Sequence, residues 1–189
     1  MESAEEACDR LCDPDIEVSA HYVLGKNGEL AQLVDEKERA WHAGASYWMG
    51  CEDLNSASIG IEIDNNGARP FEDEQYTVLI KLIQDISRRW EIAPTAVLGH
   101  QDIAIGRKFD PGPWFDWARL DAAGVSSPPR AQVYREKTEQ GFREMAHSAG
   151  YDGNADLADL LMNVRMRHGA TPYFGELRET DFGSQQASF

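Results

Sequence analysis

The 189-residue chain is 42% hydrophobic and 27% charged, which is the composition of a globular protein and excludes a disordered or fibrous one. That length accommodates one domain with a substantial core and an appendage, and leaves no room for a second full catalytic domain. Lys+Arg 18 against Asp+Glu 33 give a net charge of −15, which excludes broad binding to nucleic acid or anionic membranes because both need a basic face.

The chain opens on the acidic run 1–6, without the basic and then apolar pattern of a secretory signal, so as written it is expected to stay in the cytoplasm. Ser3 and Glu6 form a capping-box pattern that predicts a short helix through Leu11, ended by Cys12-Asp13-Pro14. The three cysteines, Cys8, Cys12 and Cys51, are an odd number without a CxxC pair, which argues against a disulfide framework. Cys8 and Cys12 read as one helical face rather than a metal pair, since no matching His/Cys pair follows.

Residues 21–24 and 30–34 flank Lys26-Asn27-Gly28, and Asn-Gly between two such runs predicts a hairpin. Residues 58–63 form a third strand in this reading, with Ile59, Ile61 and Ile63 on one face and Ser58, Gly60 and Glu62 on the other. Apolar residues at the helical period predict a helix over 72–90. The run 77–83 is the longest apolar stretch and is broken by Lys81, so no membrane helix is expected. Residues 96–99 are short enough for a buried strand leading into His100. Strand, long helix and strand define an α/β class. A Gly/Ser/Pro-rich stretch near 124–129 marks a linker, helices are expected over 131–149 and 155–168, and the end from Gly183 is expected to fray. The division is 1–124, a linker at 125–130 and a helical extension over 131–189.

The densest chemistry lies between Gly99 and Pro113. His100 and Asp110 stand at the two ends of a Gly/Pro-containing loop and can converge on one Zn²⁺, with Lys108 between them as a cation for developing negative charge. Alone, this spacing also suits a structural histidine and aspartate.

Three further segments, Val18-Ser19-Ala20-His21-Tyr22-Val23-Leu24, Arg39-Ala40-Trp41-His42-Ala43-Gly44 and Ser58-Ile59-Gly60-Ile61-Glu62-Ile63, precede that loop in order. Over Val18 to about Leu120 these four motifs resemble the zinc-dependent N-acetylmuramoyl-L-alanine amidases, the family that includes peptidoglycan recognition proteins and amidase-type phage lysozymes. The resemblance implies a mixed β-sheet with helices on both sides and a zinc groove. The implied reaction is hydrolysis of the amide between N-acetylmuramic acid and L-alanine in peptidoglycan or muropeptides. It implies His100 and Asp110 as Zn²⁺ ligands, Glu62 as the group that activates water, Lys108 as the oxyanion partner, and Trp41, His42, Ala43 and Arg107 against substrate. These four segments are expected to line one groove.

In one respect the sequence departs from the family pattern. Family members bring another zinc histidine from a strand before the first helix, in an Ile-His-Tyr-Thr-like motif, and the chain as written begins at what looks like that helix. Three explanations stand: a start internal to a longer product, which is favoured because the other motifs are intact; a non-catalytic muropeptide-binding protein; or substitution by another histidine, His21 or His42. With only His100 and Asp110, zinc would be held weakly.

Weaker signals remain. Residues 62–67 with Asp73 suggest a polar turn more than a calcium loop, since a strand enters it. Trp48, Trp114 and Trp117 suit either the core or sugar stacking, and His147 and His168 have no spaced partners. The tail over 150–168 faintly resembles small helical peptidoglycan-binding repeats, and equally suits a helical appendage packed on the main domain.

Overall fold

Lys26-Asn27-Gly28 turns the chain between β1 (Tyr22–Leu24) and β2 (Leu30–Gln32), which pair antiparallel with Val23 opposite Ala31. The loop is closed by the Gly25 N–H on the Glu29 carbonyl at 2.8 Å. β3 (Ile61–Ile63) lies on the other side of β1 and runs parallel to it, Val23 opposite Glu62, so the sheet is mixed with order β2-β1-β3. The computed structural model describes residues 9–13, 15–133 and 135–184. The expected capping box at Ser3 and Glu6, and Cys8, lie outside those residues; 9–11 are helical.

After the short helix α1 (Leu54–Ala57) and β3 comes the long helix α2 (Asp73–Trp90). Its apolar stripe of Tyr76, Leu79, Ile83 and Ile86 repeats every three or four residues and packs on Tyr22, Leu24, Ile61 and Ile63. The start of α2 is tied to the end of β3 by Gln75, whose Oε1 accepts the Glu72 N–H at 3.0 Å and whose Nε2 donates to the Asp64 carbonyl at 2.9 Å. Asp73 and Glu74 in its first turn and Arg88 and Arg89 in its last complement the helix dipole. With α2 against the isoleucine face of the sheet, Glu62 points to the opposite face.

The sequence-predicted strand at 96–99 is not a strand. Pro94–Ala96 form a 3₁₀ turn and Val97 is extended but joins no ladder among the described residues, because the proline turn uses the Val97 N–H. The third strand pairs over three residues rather than six; Ser58 and Gly60 serve side-chain contacts described below. His100–Ile103 is a one-turn helix, α3, where a loop was expected, and α4 (Trp117–Ala122) follows.

The stretch expected to be a linker packs closely: Val125 joins the core of α2 and α4, and the Pro129 carbonyl accepts from His168 Nε2 at 3.1 Å. Beyond it, helix begins at Glu139 rather than 131, capped by Thr138 (α5, Glu139–Ala149), and the next is α6 (Leu157–Arg167), capped by Asp156. Gly183 and Ser184 belong to a last helix, α7 (Glu179–Ser184), and the rest of the end expected to fray lies outside the described residues. Phe142, Met145, Leu160, Leu161, Val164 and Phe182 from these helices share one core with Ala43, Trp48 and Leu54. Arg165 of α6 is buried with Asp181 of α7 in a two-bond ion pair at 2.7 and 2.9 Å.

Glu36 ties the start of the central strand β1 to the end of α2. Its carboxylate accepts from Tyr22 Oη at 2.6 Å, Trp90 Nε1 at 2.7 Å and Arg89. The Arg89 guanidinium, helped by Tyr22 and Trp90 against the effect of burial, holds Glu36 down at about 2. A folded-state value below the unfolded one means stability that is present above pH about 4.5 and is lost as pH falls towards about 2. The Glu36→Gln variant should therefore melt lower than the parent at neutral pH, and the gap should close between those two pH values in parallel thermal scans.

Candidate active site

Parallel pairing of β1 with β3 puts His21, Val23, Gly60 and Glu62 on one face of the sheet. The His42 imidazole lies flat on the Gly60 backbone: a Cβ at position 60 would come within 2.4 Å of the ring. Its Nε2 meets Ser58 Oγ at 2.9 Å. Burial, together with the nearby His21 and His100, pushes His42 down to about 4, so at neutral pH it is an uncharged ring filling the floor of the groove. His21 is 1% exposed, with Nδ1 accepting the Gly60 N–H at 3.0 Å and Nε2 donating to the Glu38 carbonyl at 3.1 Å. Both ring nitrogens are thereby engaged by backbone, which speaks against His21 in the explanation that allowed it or His42 as a substitute ligand.

Across this floor stands α3. His100 is its first residue, and Nε2 lies 3.0 Å from the Ala43 carbonyl. A carbonyl only accepts, so Nε2 carries a proton. Nδ1 faces Asp110 Oδ2 at 3.1 Å. The loop between them folds back because the Gln101 N–H donates to the Asp110 carbonyl at 2.8 Å and the Arg107 and Lys108 N–H groups both donate to Ala104. Two electron-rich donors so close repel unless a proton or a cation lies between them, which is the chemistry of a metal bite. Among the described residues no three His, Cys, Asp or Glu side chains converge as a metal cluster. The pair thus fits two of the three protein positions that a catalytic zinc takes.

Glu62, Lys108 and Asp110 act on one another in this space. Burial and then the Asp110 carboxylate push Glu62 up, against the opposing pull of His100 and Lys108. Burial works to raise Asp110 as well, but the hydrogen bond and charge of His100, with Lys108, outweigh it and hold Asp110 low. A carboxyl pushed up beside one held low is a separation that suits proton transfer by the first.

His100 thus meets Asp110 directly, and Glu62 and Lys108 lie within electrostatic reach of that pair. Trp41 stands at the rim, 54% exposed, with the Arg39 guanidinium 4.3 Å from its ring. Ala43 enters through its backbone, its N–H held by buried Asn55 at 2.8 Å and its carbonyl shared by His100 and Arg107. Arg107, expected against substrate, places Nε and Nη2 on the carbonyls of Ala43 and Ala45 at 2.5–3.0 Å and braces the loop. Sequence reasoning missed Asn55 and Asp102. Asp102 holds the Gly99 N–H at 2.8 Å, a capping signal that Gly99-His100-Gln101-Asp102 carries in its spacing. Trp48 and Trp117 are core residues, whereas Trp114 is 49% exposed.

A mixed sheet with a polar strand face and a His/Asp pair on a folded-back loop mark the candidate site, and comparison with known proteins gives the family of the chain. The N-acetylmuramoyl-L-alanine amidase family model matches residues 1–113, and the chain belongs to that family. The N-acetylmuramoyl-L-alanine amidase AmiD of Escherichia coli strain K12 is 36% identical over 86% of this chain and 70% of its own length. The 1,6-anhydro-N-acetylmuramyl-L-alanine amidase AmpD of Enterobacter cloacae is 41% identical over 58% of this chain and 59% of its own. The solved complex of E. coli AmiD with the substrate anhydro-N-acetylmuramic acid-L-Ala-D-γ-Glu-L-Lys superposes with a TM-score of 0.82 at 32% identity, covering 96% of this chain and 81% of that one.

The Gly60 contact gives a direct check on the floor of the groove. Gly60→Ala should displace the His42 ring and destabilise the protein by about 1–3 kcal/mol, the usual cost of overpacking, measured by denaturant unfolding.

Proposed function

We propose that the chain hydrolyses the amide between N-acetylmuramic acid and L-alanine in muropeptides, with His100 and Asp110 as two of the ligands of a zinc ion and Glu62 as the proton-transfer group. The observation that carries this reading is the orientation of His100, whose Nε2 rests on the Ala43 carbonyl while its Nδ1 faces the Asp110 carboxylate at 3.1 Å, with Glu62 in electrostatic reach. Zinc at that bite supplies Lewis-acid polarisation of the scissile carbonyl and a more acidic water.

The remaining work falls to the side chains. Glu62 takes the proton of the attacking water as its oxygen bonds to the carbonyl carbon, and returns that proton to the leaving nitrogen as the C–N bond breaks. The Lys108 ammonium faces the oxygen on which charge accumulates. Trp41 offers an indole face at the rim for the sugar or peptide. The chain is 32% and 29% identical, over nearly its whole length, to two solved neighbours in complex with anhydromuropeptides, which supports an anhydromuropeptide as the substrate to test.

A second reading, a muropeptide-binding protein without turnover, is favoured by one observation: two converging zinc donors among the described residues rather than three. Both readings are separated by one assay. With zinc added, the chain should release the L-Ala peptide from an anhydromuropeptide, and Glu62→Gln should lower kcat by about 10²–10⁴-fold with little change in KM. Tight muropeptide binding without release of peptide would establish the second reading instead.

A further inference from the structure

Beneath the His100 helix lies a buried polar set that the proposed chemistry does not use. Asp102 is fully buried; its Oδ2 accepts the Gly99 N–H, and its Oδ1 has no hydrogen-bond partner among the described residues. Arg167, the last residue of α6, is 2% exposed, and its three guanidinium nitrogens are equally without hydrogen-bond partners. That guanidinium lies 4.0 Å from the Trp117 ring centroid and 3.6 Å from Asp121.

These groups close around one residue. A Cβ at Gly99 would sit 2.7 Å from Pro111, 3.3 Å from Trp117 and 3.4 Å from Asp102 Oδ2, so the backbone just before His100 is gripped on three sides. Arg167 stacks on that same Trp117, and α6 packs against α3. Tyr151 Oη and both ends of the Gln101 amide are buried and unpartnered in the same layer. The Tyr151 phenol is acted on by both Asp102 and Arg167, which places all three in one neighbourhood. A buried cation and a buried anion each require partners, and where side chains do not meet directly an ordered water with two to four polar neighbours supplies them.

We infer that Arg167 is a positioning residue for His100: bridged by ordered water to Asp102 and stacked on Trp117, it fixes the Gly99–Asp102 turn and thereby aims the imidazole at Asp110. The C-terminal helix is then part of the active-site scaffold. The inference rests on the reading of His100 as a working group of an amidase.

The test uses Asp102→Asn, which keeps the shape, and Arg167→Lys, each in the 189-residue chain labelled with ¹⁵N at histidine. In the parent, the His100 nitrogens should report the Nε2–H tautomer. Both variants should shift those signals towards tautomer averaging and lower kcat by about 10–100-fold at similar KM, the range for losing support behind a catalytic ligand. Variants that fold with parental His100 signals would overturn the proposal, whatever their turnover. The nitrogen signals decide it even if the parent hydrolyses nothing, so its failure is distinct from failure of the amidase reading. Should neither variant fold, a high-resolution crystal structure of the parent decides: water bridging Asp102 Oδ1 and Arg167 supports the proposal, and a dry gap there overturns it.

Discussion

The carbonyl of Ala43 is the acceptor on which the groove depends. It takes the Nε2 proton of His100 and a guanidinium proton of Arg107, while the Ala43 N–H is held by buried Asn55 of α1. A carbonyl has two lone pairs, and both are engaged here. One consequence is chemical: with Nε2 held on this carbonyl, it is Nδ1 that His100 turns to Asp110. The other is mechanical, because the same carbonyl fastens the His100 loop to the segment that carries Trp41 and His42.

That segment joins two cores. On one side His42 lies on the sheet at Gly60, and on the other Ala43 is packed with Trp48, Leu54 and the helices α5 and α6. The sheet supplies Glu62 from its polar face because its isoleucine face is committed to α2. The loop after α3 supplies Lys108 and Asp110. The groove is therefore held between two apolar layers, and a charge such as Glu62 is half-buried without losing contact with the reacting space. A net charge of −15 makes the local cations Arg107 and Lys108 count for more, since they offset carboxylates that would otherwise repel an acidic peptide.

The hairpin, the long helix and the alternation of 58–63 were legible because each rests on a local rule: Asn-Gly turn geometry, the 3.6 period and the two-residue period. The alternation also placed Glu62 correctly away from the isoleucines, and the order of four motifs identified the family. What could not be read were effects of tertiary contact. Val97 to Gly99 has the apolar content of a strand, yet the proline turn before it withdraws its backbone from any ladder. Residues 131–138 have ordinary helix formers, but the helix waits for the Thr138 cap. The resemblance set Arg107 against substrate, and only the fold shows that its guanidinium lies on two carbonyls. The buried Arg167 carries no sequence signal at all, since nothing in a basic residue at a helix end announces burial against Trp117.

The central claim is that Ala43 sets the tautomer with which His100, together with Asp110, meets a metal. The most direct measurement is a crystal structure of the chain grown with zinc. The account predicts a zinc ion within about 2.0–2.2 Å of both His100 Nδ1 and an Asp110 carboxylate oxygen, with Nε2 still on the Ala43 carbonyl. Zinc bound through His100 Nε2, or bound elsewhere while the His100–Asp110 pair stays in direct contact, would contradict it.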